Sequence, residues 1–152
     1  MNYTFKVPCC KDKLQSIRDF VTNILGHYDL SDVDAHQLVL AVDEVCANLM
    51  IHSHHCNPDE SLELIINIDE GSSITFEIRD EGAGFNICDY KEPELSDIIG
   101  TKRKGGVGLM LVRRIMDKIE FDCCSKKRHN IYRLRKSISF SPKPPVFANK
   151  KA

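Results

Sequence analysis

The residues that could do chemistry lie in three short segments, and the first of them pairs a carboxylate with an amide. Glu44 and Asn48 are four residues apart in a predicted helix, so they lie on one side of it at about 100° per residue. Gln37 and His52 share that side, and the residues around them are mostly apolar, which predicts a largely buried helix. Two interpretations stay open: an exposed stripe with ordinary contacts along the helix, or the wall of a polar pocket. In a pocket, Glu44 would be a base and Asn48 an oxygen ligand for a hard cation.

The second segment places an aspartate and two glycines directly after a predicted strand that ends at Ile78. Its sequence is Asp80-Glu81-Gly82-Ala83-Gly84. Asp80 can accept hydrogen bonds from a ligand held against the sheet, and Gly82 and Gly84 let the backbone approach that ligand closely. Because Asp-x-Gly also occurs in ordinary turns, this segment alone does not decide between a turn and a binding site.

The third segment is rich in glycine and opens a predicted helix. Its sequence is Lys104-Gly105-Gly106-Val107-Gly108-Leu109. Glycines at a helix N-terminus leave backbone N–H groups exposed at the positive end of the helix dipole, which favours an anion site. The segment lacks the Lys-Ser or Lys-Thr of a P-loop, and a polar stretch precedes it where the dinucleotide-binding fingerprint requires a strand. A flexible hinge remains the alternative to an anion site.

Hydrophobic periodicity predicts the elements that position these segments, in the order β-α-α-β-β-loop-α-β-β. The predicted bounds are a strand over 2–7, a helix over 12–25, a helix from the N-cap Ser31 to about 53, strands over 62–68 and 74–78, a helix that the third segment opens and that ends near Met116, and strands over 119–123 and 131–138. Strands that neighbour in hairpins, with helices on one face, predict an α/β (α+β) two-layer sandwich. Its sheet would be mixed and largely antiparallel.

One domain is predicted over residues 1–138. The polar stretch 81–104 shows no sustained periodicity, and a loop of this length is usually a lid, a binding loop or a disordered segment. We expect a lid over 86–104. Residues 139–152 contain several prolines and lysines and are predicted to form a flexible C-terminal tail.

Composition narrows the possible functions. The chain of 152 residues has 21 lysines and arginines against 22 aspartates and glutamates, whereas direct nucleic-acid binding usually requires a basic excess. No apolar run reaches the ~18 residues of a membrane span, and the N-terminus lacks the layout of a secretory signal, so we expect a cytoplasmic protein without membrane contact. The seven cysteines include no Cys-x-x-Cys motif, which favours reduced thiols over a disulfide framework or a zinc ribbon.

In this order and spacing, the three segments resemble the motifs of the histidine-kinase-like ATPase superfamily, which has the Bergerat fold. Glu44-x-x-x-Asn48 resembles its N box, Asp80-x-Gly82-x-Gly84 its first glycine box, and Gly106-x-Gly108-Leu109 its second. The resemblance covers residues 2–137. Within the superfamily, the small size and the sequence Asp43-Glu44-Val45-Cys46-Ala47-Asn48 are similar to the anti-sigma-factor serine/threonine kinases.

The resemblance implies a role for each matching residue, with ATP and Mg²⁺ as cofactors. Asn48 would coordinate the Mg²⁺ that bridges the phosphates, Asp80 would accept from the adenine amino group, and Glu44 would be the general base. Gly84 would lie beside the base, and Gly106 and Gly108 would cradle phosphates under the lid. The nucleotide site would also include Gly82, Lys104, Gly105, Val107, Leu109 and Asn130.

The match departs from the family at the start of the last strand. The family typically has Gly-Thr there, and this sequence has His129-Asn130. The Asn130 amide can replace the hydroxyl as a hydrogen-bond donor, whereas His129 is bulky where glycine is usual.

The function implied by the resemblance is that of an ATP-dependent serine/threonine protein kinase acting as an anti-sigma factor. It would phosphorylate an anti-sigma-factor antagonist, sequester a sigma factor and act as a homodimer. The first alternative is a non-catalytic regulator in which nucleotide only shapes a protein-binding surface. The others are a stand-alone histidine-kinase-type catalytic domain, whose phosphoacceptor would be another protein, and an ATPase or phosphotransfer component unrelated to transcription.

Overall fold

The computed structural model of the protein describes residues 1–53, 55–69, 71–81, 105–124 and 129–143. The elements are β1 (Asn2–Pro8), a 3-10 turn (Lys11–Lys13), α1 (Leu14–Leu25), α2 (Asp32–Asn48), a π-helical turn (Leu49–Ser53), β2 (Ser61–Asp69), β3 (Ser73–Glu81), α3 (Gly105–Ile115), β4 (Lys118–Cys124) and β5 (His129–Ser137). This order confirms the predicted succession of strands and helices. No helix in the described part of the chain is long and apolar enough to cross a membrane.

The strands form one sheet in the order β1-β2-β3-β5-β4. Each pair of neighbouring strands is antiparallel, which confirms the predicted largely antiparallel sheet. The prediction of a mixed sheet differs from this result, because the described strands contain no parallel pair. The β2–β3 connection turns at Gly71, whose φ of 83° lies in the left-handed region that favours glycine.

The helices form where the sequence supplies a cap and a buried stripe. The Ser31 hydroxyl accepts a hydrogen bond from the Asp34 backbone N–H at 3.0 Å, which caps α2 as its sequence predicts. The buried residues of α1 recur at helical spacing: Leu14, Ile17, Val21, Ile24 and Leu25. On α2 the buried residues are Leu38, Ala41, Val42, Val45 and Cys46. Burial of these stripes stabilises both helices against the sheet.

The core lies between the helices and one face of the sheet. Alternate residues of β2 are buried, and the same alternation runs through β3 and β5. Phe76 and Leu134, which pair across β3 and β5, are both 0% exposed. The sheet's other face carries the intervening, mostly polar residues, which gives the predicted two-layer arrangement.

The chain continues to pack beyond β5. Phe140 is buried, and its ring meets the Tyr28 ring edge-on with the centroids 5.4 Å apart. The Asp29 backbone N–H donates to the Ser141 carbonyl at 2.7 Å, and the Lys143 N–H donates to the His27 carbonyl at 2.9 Å. The packed part of the chain therefore extends past the predicted domain boundary at 138, and 144–152 lie outside the described residues.

Candidate functional site

The C-terminal half of α2 presents Glu44 and Asn48, both half-buried, one helical turn apart. The Asn48 Nδ2 donates a hydrogen bond to the Glu44 backbone carbonyl at 2.7 Å. Because the amide nitrogen bonds to its own helix, the amide oxygen is the atom of Asn48 suited to a hard cation. Directly after Asn48 the helix widens into the π-helical turn, a feature frequent at functional sites.

The Glu44 side chain reaches from α2 to the first turn of α3. A Cβ atom built on Gly108, the fourth residue of α3, would lie 2.6 Å from Glu44 Cδ and closer still to Glu44 Oε2. The carboxylate therefore lies directly against the Gly108 backbone. Two of the three predicted segments, the carboxylate–amide pair and the glycine-rich helix start, are brought together at this point.

The environment of Glu44 favours its protonated form. Burial raises the pKa of the Glu44 carboxyl, and the neighbouring Asp43 carboxylate raises it further. Burial also raises the pKa of Asp43, although Arg18 opposes this rise. A carboxylate with a raised pKa holds a proton more readily, which is the property that a general base requires.

The Asp43 charge is held by a helix-to-helix ion pair that the sequence motifs did not reveal. Arg18 Nη1 on α1 lies 3.0 Å from Asp43 Oδ1. Gln15 holds the same guanidinium, accepting from Arg18 Nη2 at 3.0 Å. This pair could not be predicted from the sequence, because it depends on how α1 packs on α2. The residues next to Arg18 and Asp43 give no indication of it.

A second polar group lies at the ends of β3 and β5. Asp80 is 2% exposed and Asn130 is 0% exposed, and the two residues pair directly across the strands. Their side chains continue the inward-facing rows, next to the Ile78–Tyr132 pair two residues along each strand. A buried carboxylate beside a buried amide places an acceptor and a donor next to each other, the two kinds of group that bind a polar heterocycle.

Cys9, directly after β1, is a buried thiol. Burial, followed by the charges of Glu60 and Asp80, raises its pKa to about 12. The pKa of the Cys46 thiol on α2 is also raised, first by burial, then by Asp43 and by Cys9.

The other predicted site residues divide by what the structure describes. Gly105, Gly106, Val107 and Gly108 form the first turn of α3, and Leu109 after them packs against the core. Gln37 is exposed, so it does not belong to the buried wall that its position on the helix predicted. The remaining predictions lie outside the described residues: Gly82, Gly84, Lys104, the lid over 86–104 and the side chains of His52 and His129.

The residues that are described fit a nucleotide held with a divalent cation. Asp80 supplies a buried acceptor of the kind that an amino-substituted base needs, and the first turn of α3 supplies backbone N–H groups of the kind that phosphates need. The Asn48 oxygen is a ligand type that Mg²⁺ accepts. The close approach of Glu44 to Gly108 puts a carboxylate beside those N–H groups.

Comparison with known proteins identifies the family of the chain. Residues 7–136 match the family described as "Histidine kinase-like ATPase domain". The chain is 27% identical to the "Serine-protein kinase RsbW" of Halalkalibacterium halodurans over 119 residues, which cover 75% of this chain and 71% of that protein. It is 26% identical to an "Anti-sigma F factor" of Heyndrickxia coagulans over 111 residues, 72% of this chain and 73% of that protein.

A solved structure shares the fold at low sequence identity. The structure described as the SiaB-SiaC complex from Pseudomonas aeruginosa superposes with a TM-score of 0.62 at 13% identity. The match covers 90% of this chain and 89% of that chain. The arrangement of helices on one face of an antiparallel sheet is therefore shared over nearly the full length.

Proposed function

Because this chain belongs to the histidine kinase-like ATPase domain family, we propose that it binds ATP with Mg²⁺ and transfers the γ-phosphoryl group to a serine or threonine of a partner protein. The observation that carries this proposal is the Glu44 carboxylate lying against the first turn of α3, with Asn48 one turn further along α2. The names of the relatives, a serine-protein kinase and an anti-sigma F factor, support a kinase that acts on protein.

Each residue of the site has a task in this reaction. Glu44 takes the proton from the attacking hydroxyl, and its raised pKa matches that task. Asn48 holds the cation through its amide oxygen, Asp80 accepts from the adenine amino group, and Asn130 adds a donor beside it. When bound, ATP supplies the phosphoryl group and Mg²⁺ offsets the negative charge that develops on it.

The proposed substrate is an anti-sigma-factor antagonist, and the proposed regulatory role is to sequester a sigma factor until that antagonist releases it. The relatives whose names include anti-sigma F factor support this assignment. We also propose that the working form is a homodimer, as in the family that the sequence resembles.

The alternative is a regulator that binds nucleotide without transferring phosphate. The replacement of the family's Gly-Thr by His129-Asn130 favours it, because the nucleotide contact at that strand differs. Glu44 counts against it, since a purely binding site has no use for a half-buried carboxylate at its phosphate end, where it repels phosphate.

The test is incubation of the protein with γ-labelled ATP, Mg²⁺ and the small proteins encoded beside it. Label on a serine or threonine of one of them would establish the kinase and identify its substrate. A protein that binds ATP in calorimetry but labels no candidate supports the binding regulator instead. Label on a histidine would support the histidine-kinase-type domain.

A further inference from the structure

Gly108 stands where the backbone itself does not require glycine. It is a buried residue in the first turns of α3, and its φ does not lie in the left-handed region that favours glycine. A glycine within a helix costs about 1 kcal/mol of stability relative to alanine. Its presence in α3 therefore calls for a contact that alanine would obstruct.

That contact is made by a single side chain. The three heavy atoms nearest to a Cβ on Gly108 are all atoms of Glu44, and Cγ of that residue would lie 3.3 Å away. By contrast, a Cβ on Gly26 at the end of α1 would meet only backbone oxygens, those of Asn23 and Thr22, at 3.3 Å. The space left by the absent side chain at 108 is thus filled by the Glu44 carboxylate.

We propose that Gly108 is the positioning residue for Glu44: the missing side chain at 108 determines where the carboxylate lies. The catalytic consequence of this contact rests on the proposed kinase function, whereas the contact itself does not. A methyl group at 108 would turn the carboxylate aside without unfolding the protein, because the obstructed atoms are the end of a flexible side chain. A misplacement of about 1 Å in a catalytic group lowers a rate by about 100-fold.

A different role for Gly108 makes a different prediction. If the glycine serves only to let phosphates approach the backbone, alanine at 108 would weaken nucleotide binding whatever residue stands at 44. If it positions Glu44, the effect of alanine at 108 would depend on the residue at 44. A double-mutant cycle separates the two, because the residues are in contact and their coupling is what the cycle measures.

The experiment compares wild type, Gly108→Ala, Glu44→Ala and the double variant, with Gly26→Ala as a matched glycine-to-alanine control. In nucleotide-free protein with Ala at 44, Gly108→Ala should raise the Tm by about 2–4 °C through helix propensity. With Glu at 44 that gain should shrink or vanish, because the carboxylate is displaced. With saturating ATP, phosphoryl transfer by Gly108→Ala should fall about 100-fold because the carboxylate is displaced, and calorimetry with ADP measures separately any loss of nucleotide affinity.

A shorter acid at position 44 tests the same contact. The aspartate of Glu44→Asp has one methylene fewer and would not reach the methyl group at 108. In that background, Gly108→Ala should therefore cause little further loss of transfer. Gly26→Ala should leave transfer unchanged, since its Cβ would meet backbone oxygens of α1 and not Glu44.

Two results would overturn the proposal. Equal Tm changes for Gly108→Ala with Glu and with Ala at 44 would show that the two residues do not interact. An equal fall of ADP affinity in both backgrounds, with unchanged transfer by the bound complex, would assign Gly108 to the phosphates alone. A wild type that labels no partner would reject the kinase, and the Tm cycle would still decide whether Gly108 positions Glu44.

Discussion

The two faces of the sheet carry charge in different ways. On the open face, Glu77 accepts from Arg79 Nε at 2.8 Å and from Arg133 Nε at 2.9 Å, so each charge has an opposite charge beside it. On the face that the helices cover, Asp80 and Asn130 stand at the ends of rows of isoleucine, phenylalanine, tyrosine and leucine. The open face therefore pairs its charges with each other, whereas the covered face buries two polar residues among apolar ones.

This difference indicates which polar residues the fold needs and which the site needs. Ion pairs at a surface contribute about 0–1 kcal/mol and can be exchanged with little effect. A buried polar group costs stability unless its bonding is complete, so an apolar row gains nothing from one. The proposed function gives Asp80 and Asn130 in the covered face, and Glu44 against α3, roles in nucleotide binding and phosphoryl transfer, and the predictions below test those roles.

The largest expected effect is on the reaction itself. Glu44→Gln keeps the size of the side chain but cannot take a proton, so phosphoryl transfer should fall by ~10²- to 10⁴-fold. Nucleotide affinity should persist, because Asn48, Asp80 and the first turn of α3 are unchanged. Transfer of label to the partner measures the rate, and the Tm of the same sample excludes misfolding.

The matched control for that variant is Glu77→Gln on the open face, where the same substitution meets two arginines. It should transfer phosphate at the wild-type rate. A folded Glu44→Gln protein that phosphorylates its partner normally would remove Glu44 from the role of base.

The next effect is on nucleotide affinity. Asp80→Asn should weaken ATP and ADP alike, because the adenine contact changes and the phosphate contacts do not. Loss of one charge-assisted hydrogen bond is worth ~1.5–3 kcal/mol, or roughly 10- to 150-fold in Kd. Calorimetry measures both ligands, and Asp122→Asn on β4, an exposed partner of Arg133, is the control. Unchanged affinity in Asp80→Asn would place Asp80 outside the site.

A smaller effect concerns stability against pH. The folded-state pKa of Glu44 is raised above its ordinary 4.5, so its contribution to stability is present below that value and is lost as pH rises through the folded pKa. Glu44→Gln should therefore match wild type in acid and become the more stable protein towards neutral pH. Urea unfolding of both proteins from pH 4 to pH 8 measures the difference. A constant difference across that range would contradict the raised pKa.

Much of the fold could be predicted because its signals are local. Alternation in β2 and β3 identifies the buried face, and the Ser31 cap with the stripe on α2 identifies the helix. The carboxylate–amide pair of Glu44 and Asn48 was recognisable from spacing alone. The helical period also placed Gln37 on the same side of α2 as Glu44. The period cannot show which turns of the helix other elements cover, and Gln37 lies in an exposed turn.

The rest could not be predicted because it depends on contacts between distant parts of the chain. Phe140 reads as part of a polar tail until the chain brings it against Tyr28, 112 residues earlier in the sequence. The Arg18–Asp43 pair needs the packing of two helices, and the contact of Glu44 with Gly108 needs α3 laid on α2. No window of sequence contains either pair.

The smallest effect tests the open face directly. Glu77→Ala removes the acceptor shared by Arg79 and Arg133, and it should cost only ~0.2–1 kcal/mol because both arginine side chains stay in contact with water. A loss of 1 kcal/mol lowers the Tm of a chain of this size by about 2–4 °C, so the expected shift is at most a few degrees. The shift should shrink in 1 M NaCl, where the screening length is about 3 Å. Phosphoryl transfer should not change. A larger loss that salt does not reduce, or a loss of transfer, would mean that the open face supports the site as well, and the contrast between the two faces would fail.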